Sequence, residues 1–255
     1  MREFTLQSYI KILEAFSATG YTFYTFEEVC KMKIKQGKWI IMRHDVDRIP
    51  WNAVKMAAIE QNIGIKSSYY FRVAKEAYNP DVINEIVDMG HEAGYHYEDM
   101  DLVSGDMDAA YQSFKKNLDH FRTYYPVRTI CMHGSPLSKY DNRDVWQKYD
   151  YRDDGVIGEP YFDLDYSEVF YITDTGRSWK NERSTVRDKV HSGFDIEIQS
   201  THHLLKLIQD NNLPDKIMMN THPNRWFDEF IPWTKELVLQ NVKNRIKRLL
   251  IASRS

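Results

Sequence analysis

The chain has 255 residues, 42% of them hydrophobic and 28% charged, so it can bury a full core without staples. With 34 basic against 37 acidic residues its net charge is −3, which leaves no basic footprint for a nucleic acid or an anionic membrane surface. No stretch approaches the ~18 uninterrupted apolar residues of a spanning helix, and Cys30 and Cys131 are too few for a disulfide framework. Residues 6–16 place Leu6, Tyr9, Ile10, Leu13 and Phe16 at helical spacing, with Gly20 as a stop. Thr25 and Glu28 have the spacing of a capping box that opens a second short helix. Residues 38–43 form the first clear strand. Pro50 starts a helix with Val54, Met56, Ala57 and Ile63 on its apolar side, ended by Gly64. Residues 65–73 are β-branched and aromatic, a strand. Asn79-Pro80 opens a helix with Val82, Ile83, Ile86 and Val87 inward. Strands over 90–97, 127–132, 168–173 and 216–220 then alternate with helices over 108–124, 141–149, 201–209 and 234–251. Residues 150–193 read as long charged loops around the 168–173 strand.

Short strands alternating with helices predict a parallel sheet. Six or seven such units in a single domain fit a distorted or incomplete (β/α) barrel, with a doubly wound open sheet as the alternative. Residues 1–37 read as a helical extension packed on the barrel. Residues 1–11 carry no apolar core of a signal peptide, and the cysteine usage favours a reducing compartment, so a cytoplasmic location is expected.

Both architectures bind ligands at the C-terminal ends of their strands. The first strand ends in His44-Asp45-Val46-Asp47, and the 90–97 strand ends in His96, followed by Glu98 and Asp99. The 127–132 strand runs into His133-Gly134-Ser135-Pro136. The 168–173 strand leads to Asp174 and Arg177, and the last ends at Asn220-Thr221-His222-Pro223. Four of nine histidines therefore sit at strand ends with acids beside them. Imidazole and carboxylate on one rim suit a divalent metal, zinc above all, which makes a nucleophile of water near neutral pH. Arg43 and Arg72 flank the rim and can orient Asp45 or hold an anionic substrate. Asp153, Asp154, Asp174 and Arg177 are candidate supporting or substrate contacts. Trp226 and Trp233 either stack on a sugar or cover the barrel end. His44 alternates away from the site, His91 reads as structural, and His202 and His203 read as surface residues. Tyr69, Tyr70 and Phe71 read as barrel core and Cys131 as a buried small side chain.

The segments "RHDVD", "GHEAGYHYED" and "NTHP" together resemble the polysaccharide deacetylases, the NodB-homology or carbohydrate esterase family 4 group, from about Trp39 to His222. The resemblance implies a distorted (β/α) barrel that removes acetyl groups from N-acetylated sugars with a bound divalent metal. It implies Asp45 as general base, Asp47 and His96 as metal ligands, and His222 as general acid. The family's second histidine, four residues after the first, is replaced by Met100, a poor zinc ligand. His133, ending the neighbouring strand, is the first choice for the third ligand, with Glu98, Asp99 and Asp101 as alternatives. "HGSP" stands where the family's arginine-proline motif would be. The chain looks like a divergent branch resembling uncharacterised bacterial deacetylase-like proteins, some associated with surface-polysaccharide synthesis. The expected activity is metal-dependent N-deacetylation of a carbohydrate. The alternatives are a catalytically silent carbohydrate-binding or assembly protein on the same fold and a metal-dependent amidase acting on a non-sugar amide.

Overall fold

The structure, a computed structural model, describes residues 2–34, 36–135, 138–179 and 190–252, with side chains as far as residue 246. Pro136 and residues 180–189 of the charged loop segment lie outside the described residues. The chain runs α1 (Leu6–Ala18), β1 (Thr22–Tyr24), α2 (Phe26–Met32), β2 (Trp39–Val46), α3 (Trp51–Asn62), β3 (Ser68–Phe71), α4 (Pro80–Asp88) and β4 (Glu92–Tyr97). It continues through α5 (Asp99–Leu102), α6 (Met107–Phe121), β5 (Ile130–Met132), α7 (Pro160–Asp163), β6 (Phe170–Thr173), α8 (Thr201–Gln209), β7 (Lys216–Thr221) and α9 (Phe230–Ala252).

Local chemistry accounts for most boundaries. Thr25 and Glu28 make the reciprocal capping box at α2, and the Asn79 side chain caps α4 ahead of Pro80. Helix α9 starts four residues before the expected position. Pro232 falls in its first turn, where the missing N–H has no intrahelical acceptor to lose. Residues 141–149 are not an α-helix but contain a 3₁₀ segment, Asn142–Gln147. The Asp141 side chain caps Arg143 N, and Asn142 is tied to Asp101 and the His133 carbonyl. Strand β1, three residues long, is too short to show a period of two and lies within the segment read as a helical extension.

All strand pairs are parallel, in the order β5-β4-β3-β2-β7-β6, with β1 beside the start of β2. A doubly wound sheet would set β6 next to β2 and carry β7 to the edge. Here β7 lies against β2 and the consecutive strands β5 and β6 form the two edges. That is cyclic order with one gap, an incomplete (β/α) barrel. In a flat sheet, β5 and β7 would be four intervals of about 4.8 Å apart, roughly 19 Å. Yet His133, after β5, and His222, after β7, both reach Asp47 within 3.8 Å, so the sheet curls.

Strand parity decides what faces the site. Trp39 and Ile41 point into the barrel with Tyr70, Cys131, Tyr171 and Met218. Ile40 and Met42 point outward under α1 and α8. The same alternation carries Arg43 and Asp45 inward, while His44 goes outward to Glu60 (2.8 Å) and Thr221 (2.7 Å). Glu60 also accepts from Tyr9 and Tyr69, so His44 is a satisfied structural group, as the alternation predicts. Tyr69 and Phe71 are buried in the outer layer with Ile83 and Tyr95.

Candidate metal and proton-transfer site

Asp45 is almost fully buried at the mouth of the barrel. Arg43 Nε donates to its Oδ1 (2.8 Å) and Arg43 Nη2 to its Oδ2 (2.6 Å), with Asn220 adding a third bond at 3.0 Å. A planar guanidinium two residues back on the same strand face matches a carboxylate fork to fork. Burial pushes the Asp45 pKa up, but Arg43 and then His96 hold it well below the usual carboxylate range. Arg43 is itself fully buried and has its charge answered there.

Asp47, one residue past β2, is the point of convergence. Its Oδ1 is buried with no hydrogen-bond partner among the described residues, and it lies 3.6 Å from His96 Nε2 and 3.7 Å from His133 Nε2. These gaps are too long for hydrogen bonds. They are close to the about 3.3–3.4 Å that separates ligand atoms around a tetrahedral ion with bonds of about 2.0–2.1 Å. Each imidazole is oriented from behind. His96 Nδ1 donates to the Cys131 carbonyl (2.9 Å), which leaves Nε2 as the free lone pair. Burial pulls the His96 pKa down to about 4, so the ring is neutral and able to act as a ligand. His133 Nδ1 lies 3.0 Å from Glu98 Oε2, off the line of a good hydrogen bond, and Glu98 is clamped by Arg72 at 2.7–3.1 Å. Burial raises the Glu98 pKa, yet His133 and Arg72 bring it down to about 2.

Among the described residues, Asp45, His96 and Cys131 form the group of three whose ligand atoms all lie within 4.8 Å of one another, of a kind that can hold a metal; Asp47, His96 and His133 do not form such a group. Both Asp45 oxygens already accept from Arg43, however, and a cation there would meet a buried guanidinium. Asp47 Oδ1, by contrast, has no hydrogen-bond partner among the described residues.

Across the rim, His222 Nδ1 donates to Asp174 Oδ1 (2.6 Å), and its Nε2 lies 3.8 Å from Asp47 and 4.0 Å from Asp45. Asp174 is fully buried. It also accepts from the His222 backbone N–H (3.0 Å), Arg225 Nη1 (2.6 Å) and Trp226 Nε1 (2.8 Å). Burial opposes ionisation of Asp174, but Arg225 and His222 keep its pKa low.

Asp45, Asp47, His96, His133, His222 and Ser135 line one cleft of about 350 Å³. Arg43, Arg72, Glu98, Asp174 and Trp226 hold them from behind. Trp226 is fully buried, so it braces Asp174 and offers no face to a sugar. Two candidates are elsewhere. Asp99 turns to the outer layer, bonded to Tyr95 (2.7 Å), Ser113 (2.7 Å) and Asn117 (2.9 Å). Arg177 is buried over the rings of Phe4 and Trp233 and does not line the cleft. Met100 packs with Ala110 and Val145, away from the ligand atoms. Asp101 is engaged by Ser138 and Asn142. Sequence reasoning missed Asn220, Arg225, Arg48, Tyr161 and Lys243. Asn220 shares strand parity with Met218 and so faces inward, a signal that was readable. The others come from turns and from α7 and α9, whose placement no local pattern encodes.

Among the described residues, no helix is long and apolar enough to cross a membrane. No protein-family model and no curated protein matches the chain. A solved structure of a mutant CE4 family pseudoenzyme with restored enzymatic activity aligns with it at 12% identity and a TM-score of 0.40, over 83% of this chain and 64% of that one. The chain therefore spans less than two thirds of that protein's length.

Proposed function

We propose that the chain is a metal-dependent hydrolase that removes an N-acetyl or similar acyl group from a carbohydrate, with zinc as the ion. The observation that carries this reading is the unpartnered Asp47 Oδ1, faced by two oriented imidazole nitrogens at 3.6 and 3.7 Å, beside a separate His222–Asp174 pair. The motif resemblance from Trp39 to His222 supports the choice of amide and sugar. Asp47, His96 and His133 hold the ion. A bound divalent ion acidifies water and polarises the acyl carbonyl.

Arg43 keeps Asp45 ionised and aimed. The same clamp makes Asp45 a weak base, so it would accept a proton only from a water that a bound ion had acidified. His222 is fixed by Asp174 with Nε2 toward the cleft and gives a proton to the leaving amine. Ser135 and Tyr161 border the space left for the sugar. The cleft, about 350 Å³, is within the roughly 300–1,000 Å³ range of ligand sites.

Calorimetric titration of the chelator-treated protein with zinc should show one ion per chain, and Asp47→Asn and His133→Ala should each abolish or severely weaken it. Full affinity in both variants rejects the ligand set. Glu98→Gln should weaken zinc binding by roughly 10–100-fold, because the carboxylate behind a ligand histidine sets its orientation and basicity. An unchanged affinity there removes Glu98 from the metal's support. Product analysis on a panel of N-acetyl sugars and non-sugar amides tests the substrate class.

A further inference from the structure

The cleft's second wall is built by the turn after β2, by the 3₁₀ turn Pro223–Arg225 and by α9, which contribute Arg48, Asn224, Arg225, Gln240 and Lys243. Its charges are unbalanced. Arg48 is answered by Glu236, with Nη2 at 2.6 and 2.7 Å from the two carboxylate oxygens. Arg225 is answered by Asp174 at 2.6 Å. Lys243 has no ion pair or hydrogen bond among the described residues. Lys243 is exposed at the cleft edge; partial desolvation and the positive charges of Arg48 and Arg225 lower its pKa, while Glu236 and Asp47 oppose them.

The acids among the described lining residues are Asp45 and Asp47, both committed to the rim, and the aromatic side chain besides the histidines is Tyr161. Lysine and arginine donate hydrogen bonds and accept none. Asn224 and Gln240 can serve a neutral hydroxyl on this wall, but its three cationic side chains can only donate. A carboxylate or phosphate gains a charge-assisted bond from an ammonium that has no protein partner among the described residues.

We propose that the substrate is anionic: Lys243, with Arg48 and Arg225 beside it, forms a subsite for a carboxylate or phosphate group carried by the acylated sugar. This rests on the deacylase reading for the sugar but not for the anion. Lys243 comes from α9 and makes no hydrogen bond or ion pair with Asp45 or His222 among the described residues, so its replacement tests substrate selection apart from proton transfer.

The test is direct binding to the zinc-loaded full chain. The ligands are N-acetylglucosamine, its 1-phosphate, an N-acetylated amino-sugar uronate and inorganic phosphate. At least one anionic sugar should bind about tenfold or more tightly than the neutral sugar. Which of the two does so identifies phosphate or carboxylate. Lys243→Ala should erase the preference, Lys243→Arg should keep it, and added salt should weaken it. Phosphate coordinated by zinc alone would bind wild type and Lys243→Ala equally. If no anion binds wild type more tightly than Lys243→Ala, the subsite does not exist. If the Lys243-dependent preference holds but no N-acyl sugar is cleaved, the subsite stands and the deacylase reading falls. If neutral N-acetyl sugars are cleaved as well as charged ones by wild type and Lys243→Ala alike, the deacylase reading stands and the subsite falls.

Discussion

Asp45→Asn should retain zinc and lose turnover by roughly 10²–10⁴-fold, because it removes a proton acceptor and no metal–oxygen bond. Asp47→Asn should lose both. The structure adds a cost that the motif alone does not suggest. Asparagine preserves shape at position 45 but leaves Arg43 buried beside a neutral partner, so this variant should also melt at lower temperature than wild type. Metal content, initial rate and melting temperature therefore have to be read on one preparation. His222→Ala should keep zinc and lose rate if, as proposed, it gives the proton to the amine and supplies no ligand atom; loss of zinc would make it a ligand, since its Nε2 lies 3.8 Å from Asp47. Metal lost from Asp45→Asn but kept in Asp47→Asn would exchange the two roles. Full activity in Asp45→Asn would leave His222 as the sole proton-transfer group.

Arg43→Leu should destabilise the fold by about 3–5 kcal/mol, the usual cost of removing one partner from a buried ion pair. In a chain of this size that lowers the melting temperature by roughly 10 °C. The loss should depend on pH with a definite sign. In wild type the folded Asp45 pKa lies below its unfolded value of about 3.9, so its stabilisation is complete above that pH and is lost as pH falls through the folded value. Without Arg43, burial dominates and lifts the folded pKa above the unfolded one. The variant then takes up a proton on folding and recovers stability as pH falls. The gap between the two melting temperatures should narrow as pH falls through the variant's folded Asp45 pKa. A gap that stays constant shows that Asp45 is not the group left unpaired.

The parts of the site legible in the sequence are those governed by local periodicity. Parallel strands joined by helices share one rim for their C-terminal ends, so the residues after each apolar run were bound to gather. Parity along β2 sends 43 and 45 inward and 44 outward, whatever the rest of the chain does. The capping residues Thr25 and Asn79 act within three residues of themselves, which is why those helix starts were readable.

Tertiary structure decided the rest. Whether Glu98 or Asp99 supports the site turns on one residue at the start of α5, and the outer-layer partners Ser113 and Asn117 claim Asp99. Trp226 was open as a sugar platform until the packing of Phe4, Tyr9 and Trp179 around it left only its Nε1 with work to do. Arg225, Asp174 and Lys243 meet the rim only because the sheet curls and α9 closes over its edge. Contacts across such separations depend on how a whole sheet closes, and closure is a sum of packing terms from every strand that no short stretch of sequence carries.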